Sequence, residues 1–372
     1  MKRFLKRVYY FSRRIFIGLP AWMLQLIRNK ELTSQPSYYP ERNFHKSRVK
    51  VFFDQLVMVL KYGAPEQFYF MYGFDSMKWK EMNQYMHLYP FMAIRNSENF
   101  SDMHNASCIL RNKIYFGMFA EFWGVRTGKN VGITEGSECV FLFTEKKNVS
   151  IKDFCDERDG FYFCKILDGE CGEGIFTLEL LNKQIKVNGE DGSISKLKDL
   201  LAAATYLIQE KVTQHSEMSR LYPGSLNTIR LVTVKNKRTK EITVFLSNLR
   251  IGAHGSFVDN GSQGGIAVGV HLESGKLFEY GLQKPLYGTK TKKHPDTGVE
   301  FATFAIPFFE EAKRQAIYLH SKLDGISSIG WDIAITESGP LFIEGNDNWE
   351  LQALQRTHGG LKNEYLKGIG VK

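Results

Sequence analysis

The chain has 372 residues, a formal net charge of +9, 43% hydrophobic residues and 24% charged residues. That length buries a sizeable core and spreads over two or three lobes, and the balance of apolar and charged residues excludes a disordered chain. The basic excess points to an acidic partner: a nucleotide, an anionic lipid or an acidic glycan. Nucleic acid is not expected, because neither paired Cys/His spacing nor an RNP-like aromatic run is present.

Residues 1 to 30 form a basic segment in which Lys2, Arg3, Lys6, Arg7, Arg13, Arg14, Arg28 and Lys30 alternate with aromatic and aliphatic residues. The uncharged run from Ile15 to Ile27 is shorter than the ~20 residues that cross a bilayer, and Pro20 interrupts it. No small-residue cleavage site follows, so a signal peptide is not expected. Two readings stand: a basic amphipathic helix on an anionic membrane surface, or a first helix packed on its own domain with its charges solvated. The five cysteines, at 108, 139, 155, 164 and 171, form no CxxC pair, which fits a reducing cytosol. The expected location is therefore cytoplasmic, with peripheral attachment to the inner face of the cell membrane under the first reading.

From Asn43 to about Gly124 apolar residues recur at helical spacing, through KVFFDQLVMVLKYG and KIYFGMFAEFWG. After Val125 short β-like runs alternate with Gly/Asp/Lys turns, as in SECVFLF and GFYFCKIL. SKLKDLLAAATYLIQE predicts a helix running into a strand. TIRLVTV with ITVFLSNLRIG, and GIAVGVHL with KLFEYGL, predict two hairpins. Pro307 predicts the start of a helix reaching about Leu323, since proline suits the first helical position. The class is α+β, with antiparallel sheets in the second half.

Two stretches carry chemistry. In IGWDIAITESGPLFIEGN a three-residue turn, Glu337-Ser338-Gly339, would set Asp332 opposite Glu344, with Asn346 on the same face. Facing carboxylates repel across a ladder. A divalent cation such as Mg²⁺ removes that conflict and accepts these oxygen donors; a partner arginine on one carboxylate is the plainer alternative. In YFCKILDGECGEGI a strand bearing Lys165 leads into Gly169, Gly172 and Gly174. Glycines there permit a backbone nest for an anion beside a lysine charge, or merely a turn. The spacing matches neither a Walker loop nor GxGxxG.

Further along, YLIQEKV ends in a polar step that can simply join two lobes, or offer backbone N–H and C=O groups to an adenine with Glu210 accepting from its amino group. Asp259 and Asn260 either reach a cleft or simply make an Asp-Asn-Gly turn. His294 and Asp296, in HPDTG, either shape a loop or contact substrate.

This order resembles the ATP-grasp superfamily: a lysine–glycine-loop strand, a strand ending in Glu-Lys, arginine-bearing strands, then Asp…Glu-x-Asn. The wording GSLNTIRLVTV, VDNGSQGGIAVGV, KKHPDTG and IGWDIAITESGPLFIEGN is similar to the sugar-transfer-associated ATP-grasp family, related to the α-L-glutamate ligase-like proteins, over roughly residues 105 to 365.

The resemblance implies an ATP-grasp fold in which two α+β lobes with antiparallel sheets clamp a nucleotide, preceded by a mainly helical region. The boundaries it implies are a basic segment at 1–30, a helical region at 31–124, a first lobe at 125–213 and a second at 214–372. It further implies Lys165 and Lys113 on the ATP phosphates, Gly169, Gly172 and Gly174 covering them, and Glu210, Lys211 and Val212 at the adenine. Glu217 would lie near the ribose, or on a helix surface. Asp332, Glu344 and Asn346 would hold Mg²⁺, as two ions and with Mn²⁺ as a substitute.

Where many such ligases carry a catalytic arginine, two residues before the metal aspartate, this chain has Gly330. Arg230 or Arg250 would have to stand in. The implied activity is an ATP-dependent carboxylate–amine ligase acting through an acyl phosphate in surface-polysaccharide assembly, with small-molecule or lipid-linked glycan substrates. The alternatives are a phosphotransferase at the same ATP site and a non-catalytic nucleotide-binding partner of a membrane glycosyltransferase.

Overall fold

The computed structural model describes residues 19–99, 106–167 and 174–371. Two antiparallel sheets organise the chain, as the α+β reading expects. The first contains β1 (Asn130–Glu135), β2 (Cys139–Leu142), β3 (Lys147–Ser150), β4 (Gly160–Ile166), β5 (Phe176–Leu181), β6 (Gln184–Val187), β7 (Glu190–Asp191) and β8 (Tyr206–Glu210). Their spatial order is β3-β2-β1-β8-β4-β5-β6-β7. Two short helices, Ile151–Glu157 and Ile194–Leu201, pack on it, each begun by a serine whose hydroxyl accepts a first-turn N–H. Phe154, Leu197 and Leu201 meet Cys164, Leu178 and Ile208 in one core.

The second sheet contains β9 (Thr228–Lys235), β10 (Ile242–Ile251), β11 (Ile266–Val270), β12 (Leu277–Leu282), β13 (Lys290–Thr291), β14 (Ser328–Thr336) and β15 (Gly339–Asn346). Its order is β13-β12-β11-β10-β9-β14-β15. On one face Ile229, Leu231, Leu249, Trp331 and Ile333 pack against helix Phe309–Ser321 and against Leu110, Phe116 and Ala120 of the helical segments around Lys113. On the other face Val232, Val234 and Leu246 are covered by the C-terminal helices through Leu351, Leu354 and Tyr365. All nine residues of β14 are buried, Asp332 included.

Pro307 does not open the helix that follows it. Phe308 takes a left-handed conformation, φ 52°, and the helix begins at Phe309. The β14–β15 turn is also tighter than expected. Thr336 pairs with Gly339, so only Glu337 and Ser338 lie between the strands, and an irregularity between Asp332 and Ile333 restores the register. Asp332 still faces Glu344.

Residues between Tyr38 and Tyr85 form a cluster of their own that includes Leu282 of the second sheet, while Phe91 of helix Leu88–Asn99 joins the C-terminal core. Both groups are tied to that lobe by long-range hydrogen bonds. Tyr38 donates to the Gln283 carbonyl, Tyr72 to the Gln352 carbonyl, and Arg95 to the Trp349 carbonyl. The two sheets join where Phe342 N–H donates to the Arg126 carbonyl and His215 N–H to the Ile335 carbonyl.

Candidate functional site

One row of side chains crosses the second sheet by register. Glu344 pairs with Asp332, Asp332 with Arg230, and Arg230 with Asn248. Asp332 is 3% exposed. Its Oδ1 accepts from Arg230 Nε at 2.5 Å, and its Oδ2 accepts from Arg230 Nη2 at 3.0 Å and Arg250 Nη2 at 2.7 Å. Burial alone would raise the Asp332 carboxyl, but the two guanidinium groups hold it down at about 2. Nη1 of each arginine has no partner among the described residues, so two cationic NH2 groups remain beside Asp332.

Arg250 is anchored from its other side. Nε and Nη2 donate to Thr228 Oγ1 at 3.0 and 2.8 Å, and that hydroxyl donates to Asp259. Asp259 also accepts the Thr228 N–H and lies 3.6 Å from Arg250 Nε. Burial pushes the Asp259 carboxyl up and Arg250 partly offsets this. Asp259 therefore belongs to the cleft rather than to a simple turn. Its neighbour Asn260 caps the short 3-10 turn Gly261–Gln263.

Glu344 takes the opposite electrostatic position from Asp332. Burial, then the Asp332 charge, push its carboxyl above the usual carboxylate range, while Asn346 Nδ2 donates to its Oε1 at 3.0 Å. A carboxylate in that state is a site for an added cation. A carboxylate offers about four acceptor positions; Asp332 uses three for the arginines, and the remaining lone pair meets the Glu344 carboxyl in a hydrogen bond that a bound cation would replace. Glu344, the Asn346 amide oxygen and that lone pair form an all-oxygen donor set of the kind Mg²⁺ takes. Among the described residues no group of three or more His, Cys, Asp or Glu could hold a metal, so the amide is an essential member. The donors fit; the arginines share the aspartate.

Gly330 is fixed by packing. A Cβ there would stand 2.8 Å from Trp349 Cβ and 3.4 Å from Arg230 Cδ. The space an arginine at 330 would need is filled by a buried tryptophan and by the stem of Arg230 itself. Arg230 and Arg250, on neighbouring strands, bring the positive charge instead.

From the first sheet, Lys165 approaches the same cleft. Its Nζ donates to Gln209 Oε1 at 2.6 Å. Burial, with help from Lys113, pushes its ammonium down to about 8, against the opposing pull of Glu344. The Glu344 charge thus acts on Lys165 from the other sheet. Lys113 opens helix Lys113–Phe122, capped by Asn112, and its Nζ lies 3.5 Å from the Leu167 carbonyl, where β4 ends. Gly169 and Gly172 lie outside the described residues. Gly174 has φ 66°, and a Cβ there would fall 2.1 Å from Ile166 Cδ1, so glycine is favoured at that turn and a larger residue would have to displace the Ile166 side chain.

The joining segment is less open than expected. Glu210 N–H donates to the Lys129 carbonyl and Lys211 N–H to the Phe161 carbonyl, both inside the sheet. The Glu210 carboxylate pairs with Lys129 at 2.6 Å. Val212 is where the segment leaves the sheet, so the hydrogen-bonding groups it can offer a ligand start at the Lys211 carbonyl and the Val212 peptide. Glu217 sits in the first turn of helix Ser216–Leu221 and pairs with Arg220 at the surface, which favours the helix-surface reading. His294 is a loop-shaping residue: buried, stacked on Tyr222, with Nε2 on the Gly252 carbonyl at 2.8 Å. Asp296 accepts the His254 N–H.

Gln209 and Thr228 escaped the sequence reading. Gln209 joins Lys165 to Asn130, donating to Asn130 Oδ1 at 2.9 Å. Its one legible signal is a lone amide in the apolar strand YLIQE.

A profile of the sugar-transfer associated ATP-grasp family matches residues 96–369. The chain belongs to that family. Among solved structures, an ADP complex of N5-carboxyaminoimidazole ribonucleotide synthetase is 10% identical, with TM-score 0.42, over 71% of this chain and 52% of its own. The ATP-grasp ligase PsnB with Mg and ADP is 14% identical, TM-score 0.40, over 72% and 61%. D-alanine–D-alanine ligase from Helicobacter pylori is 12% identical, TM-score 0.39, over 71% and 59%. This sugar-transfer associated ATP-grasp chain thus spans between half and two thirds of the length of those proteins. A search of curated sequences finds no match.

Proposed function

We propose that the chain is an ATP-dependent carboxylate–amine ligase acting in glycan assembly. The observation that carries this reading is the meeting of Lys165 and Lys113 from one side with Glu344, Asp332, Arg230 and Arg250 from the other. A carboxylate is a poor acyl donor. ATP makes it reactive: a carboxylate oxygen attacks the γ-phosphorus, an acyl phosphate forms and ADP leaves. An amine then attacks the acyl carbon, the C–N bond forms, and phosphate departs with the electrons of the C–O bond.

In this scheme Lys113 and Lys165 bind the nucleotide phosphates, and Gly169, Gly172 and Gly174 are the residues that the family resemblance assigns to covering them. The Lys211 carbonyl and the Val212 peptide face the adenine. The unpaired Nη1 groups of Arg230 and Arg250 orient the carboxylate and stabilise the tetrahedral oxyanion. Glu344, Asn346 and Asp332 would hold Mg²⁺, or Mn²⁺, whose chemistry is to neutralise phosphate charge during phosphoryl transfer. The family's association with sugar transfer supports a sugar acid or lipid-linked glycan as one substrate.

The test is ADP release measured with uronic acids and amino acids singly and in pairs, with hydroxylamine added to trap the acyl phosphate. Hydroxamate that requires ATP and one acid supports the ligase. Phosphate transfer to a hydroxyl, with no hydroxamate, would replace it by a phosphotransferase.

A further inference from the structure

Helix Arg48–Tyr62 exposes seven residues: Arg48, Val49, Lys50, Phe53, Val57, Leu60 and Lys61. Four are apolar, three are cationic, and none is acidic or neutral polar. The apolar four are well exposed, Val49 at 66%, Phe53 at 58%, Val57 at 42% and Leu60 at 44%. At 100° per residue they fall within an arc of about 80°, with Arg48 on one flank and Lys50 and Lys61 on the other. The helix's single acid, Asp54, points inward, where Lys46 and the Tyr69 hydroxyl bind it. A solvated helix face carries charges of both signs; this face has a greasy stripe with a rim of one sign.

The neighbouring chain extends the pattern. Phe44, 52% exposed, lies just before the Ser47 cap, with Lys50 Nζ 5.6 Å from its ring. Helix Leu19–Arg28 packs against helix Arg48–Tyr62, buries Leu26, and leaves Met23 and Leu24 exposed. It has no acid. Residues 1–18, which lead into that helix, carry Lys2, Arg3, Lys6, Arg7, Arg13 and Arg14 and again no acid. No helix among the described residues is long and apolar enough to cross a membrane.

We propose that the exposed face of helix Arg48–Tyr62 docks on an anionic bilayer, with Phe53 and Val57 entering the acyl boundary and the flanking cations meeting lipid headgroups. Charge decides among the occupants. A second copy in a twofold contact would set the cations of this face against themselves. Residues 1–18 folded back over it would add six more positive charges to a positive rim. An anionic surface matches both the stripe and its border. The inference is independent of the ligase reading, since it concerns a face outside the nucleotide cleft.

The test is co-sedimentation of the full chain with phosphatidylcholine vesicles, with and without about 30% phosphatidylglycerol. Wild type should bind only the anionic vesicles, and less as salt rises. Phe53→Glu, at an exposed position, should cut the bound fraction about tenfold with unchanged melting; Val57→Gln serves if that variant fails to fold. Unchanged binding by either folded variant would overturn the proposal. So would a wild-type dimer that ignores vesicles and that Phe53→Glu dissociates. Removing residues 1–18 should weaken binding by loss of charge; if it removes all binding while Phe53→Glu removes none, the helix face is not the docking surface.

Discussion

Glu344 faces Asp332 across the β14–β15 ladder, and the two carboxyls respond in opposite directions. Asp332 is held at about 2 by Arg230 and Arg250, against the pull of burial. Glu344, buried beside that fixed negative charge, is pushed up.

A carboxyl whose folded pKa is raised stabilises the fold below its unfolded pKa and loses that contribution as pH rises through the folded value. Glu344→Gln keeps the neutral form at every pH. The variant should therefore melt higher than wild type at pH 7.5, by roughly 0.2–1 kcal/mol in stability, with the gap closing toward pH 4. With Mg-ATP the order should reverse. Wild type should gain about 2.7 kcal/mol at a hundredfold excess over the dissociation constant, and the variant much less. Melting curves at the two pH values, with and without Mg-ATP, check both halves; equal Mg-ATP shifts would remove Glu344 from the metal site.

Asp332 has the reverse sign. Its depressed pKa contributes stability above the ordinary carboxylate range, and that contribution is lost as pH falls through about 2. Asp332→Asn should flatten acid unfolding between about pH 4 and pH 2. Arg230→Met leaves the buried aspartate with Arg250 alone and should cost about 3 kcal/mol. Adding Asp332→Asn should recover part of that loss, which a double-mutant cycle in urea would measure.

Lys165, pushed down to about 8, gives the nucleotide site a pH signature. The ammonium binds phosphate and the amine does not. Between pH 7 and pH 9 ATP affinity should fall about tenfold, and binding at pH 8 should take up about half a proton per site. Calorimetry in two buffers of different ionisation enthalpy reads that uptake. Lys165→Met should bind ATP weakly and without the pH dependence; a variant with wild-type affinity would place the phosphates elsewhere.

Gly330→Ala tests why the arginine is missing from that position. The new methyl would meet Trp349 at 2.8 Å, inside a packed core, so a loss of about 1–3 kcal/mol is expected. Wild-type melting would show that Trp349 yields and that position 330 is open to larger side chains.

The strands and helices were largely legible because their apolar periods are local. KVFFDQLVMVLKYG alternates at helical spacing and is helical over Arg48–Tyr62, and TIRLVTV is β9. The pairing of Asp332 with Glu344 was also legible, although by a different turn: the sequence implied a three-residue loop, whereas a two-residue loop with an irregular register reaches the same pairing. Pro307 misled because a single left-handed residue, Phe308, comes between it and the helix.

The sequence by itself determined the α+β class and the donor types at 332, 344 and 346, since each depends on residues close together in the chain. Only the tertiary structure decided which charges meet. Arg230 and Arg250 reach Asp332 from 102 and 82 residues away, Gln209 reaches Lys165 from 44, and Trp349 closes the space at Gly330. Sheet order brings these groups within a few ångströms, and at that range in a buried cleft Coulomb energy and steric overlap, which depend on distance in space alone, set the pKa values and the shape of the site.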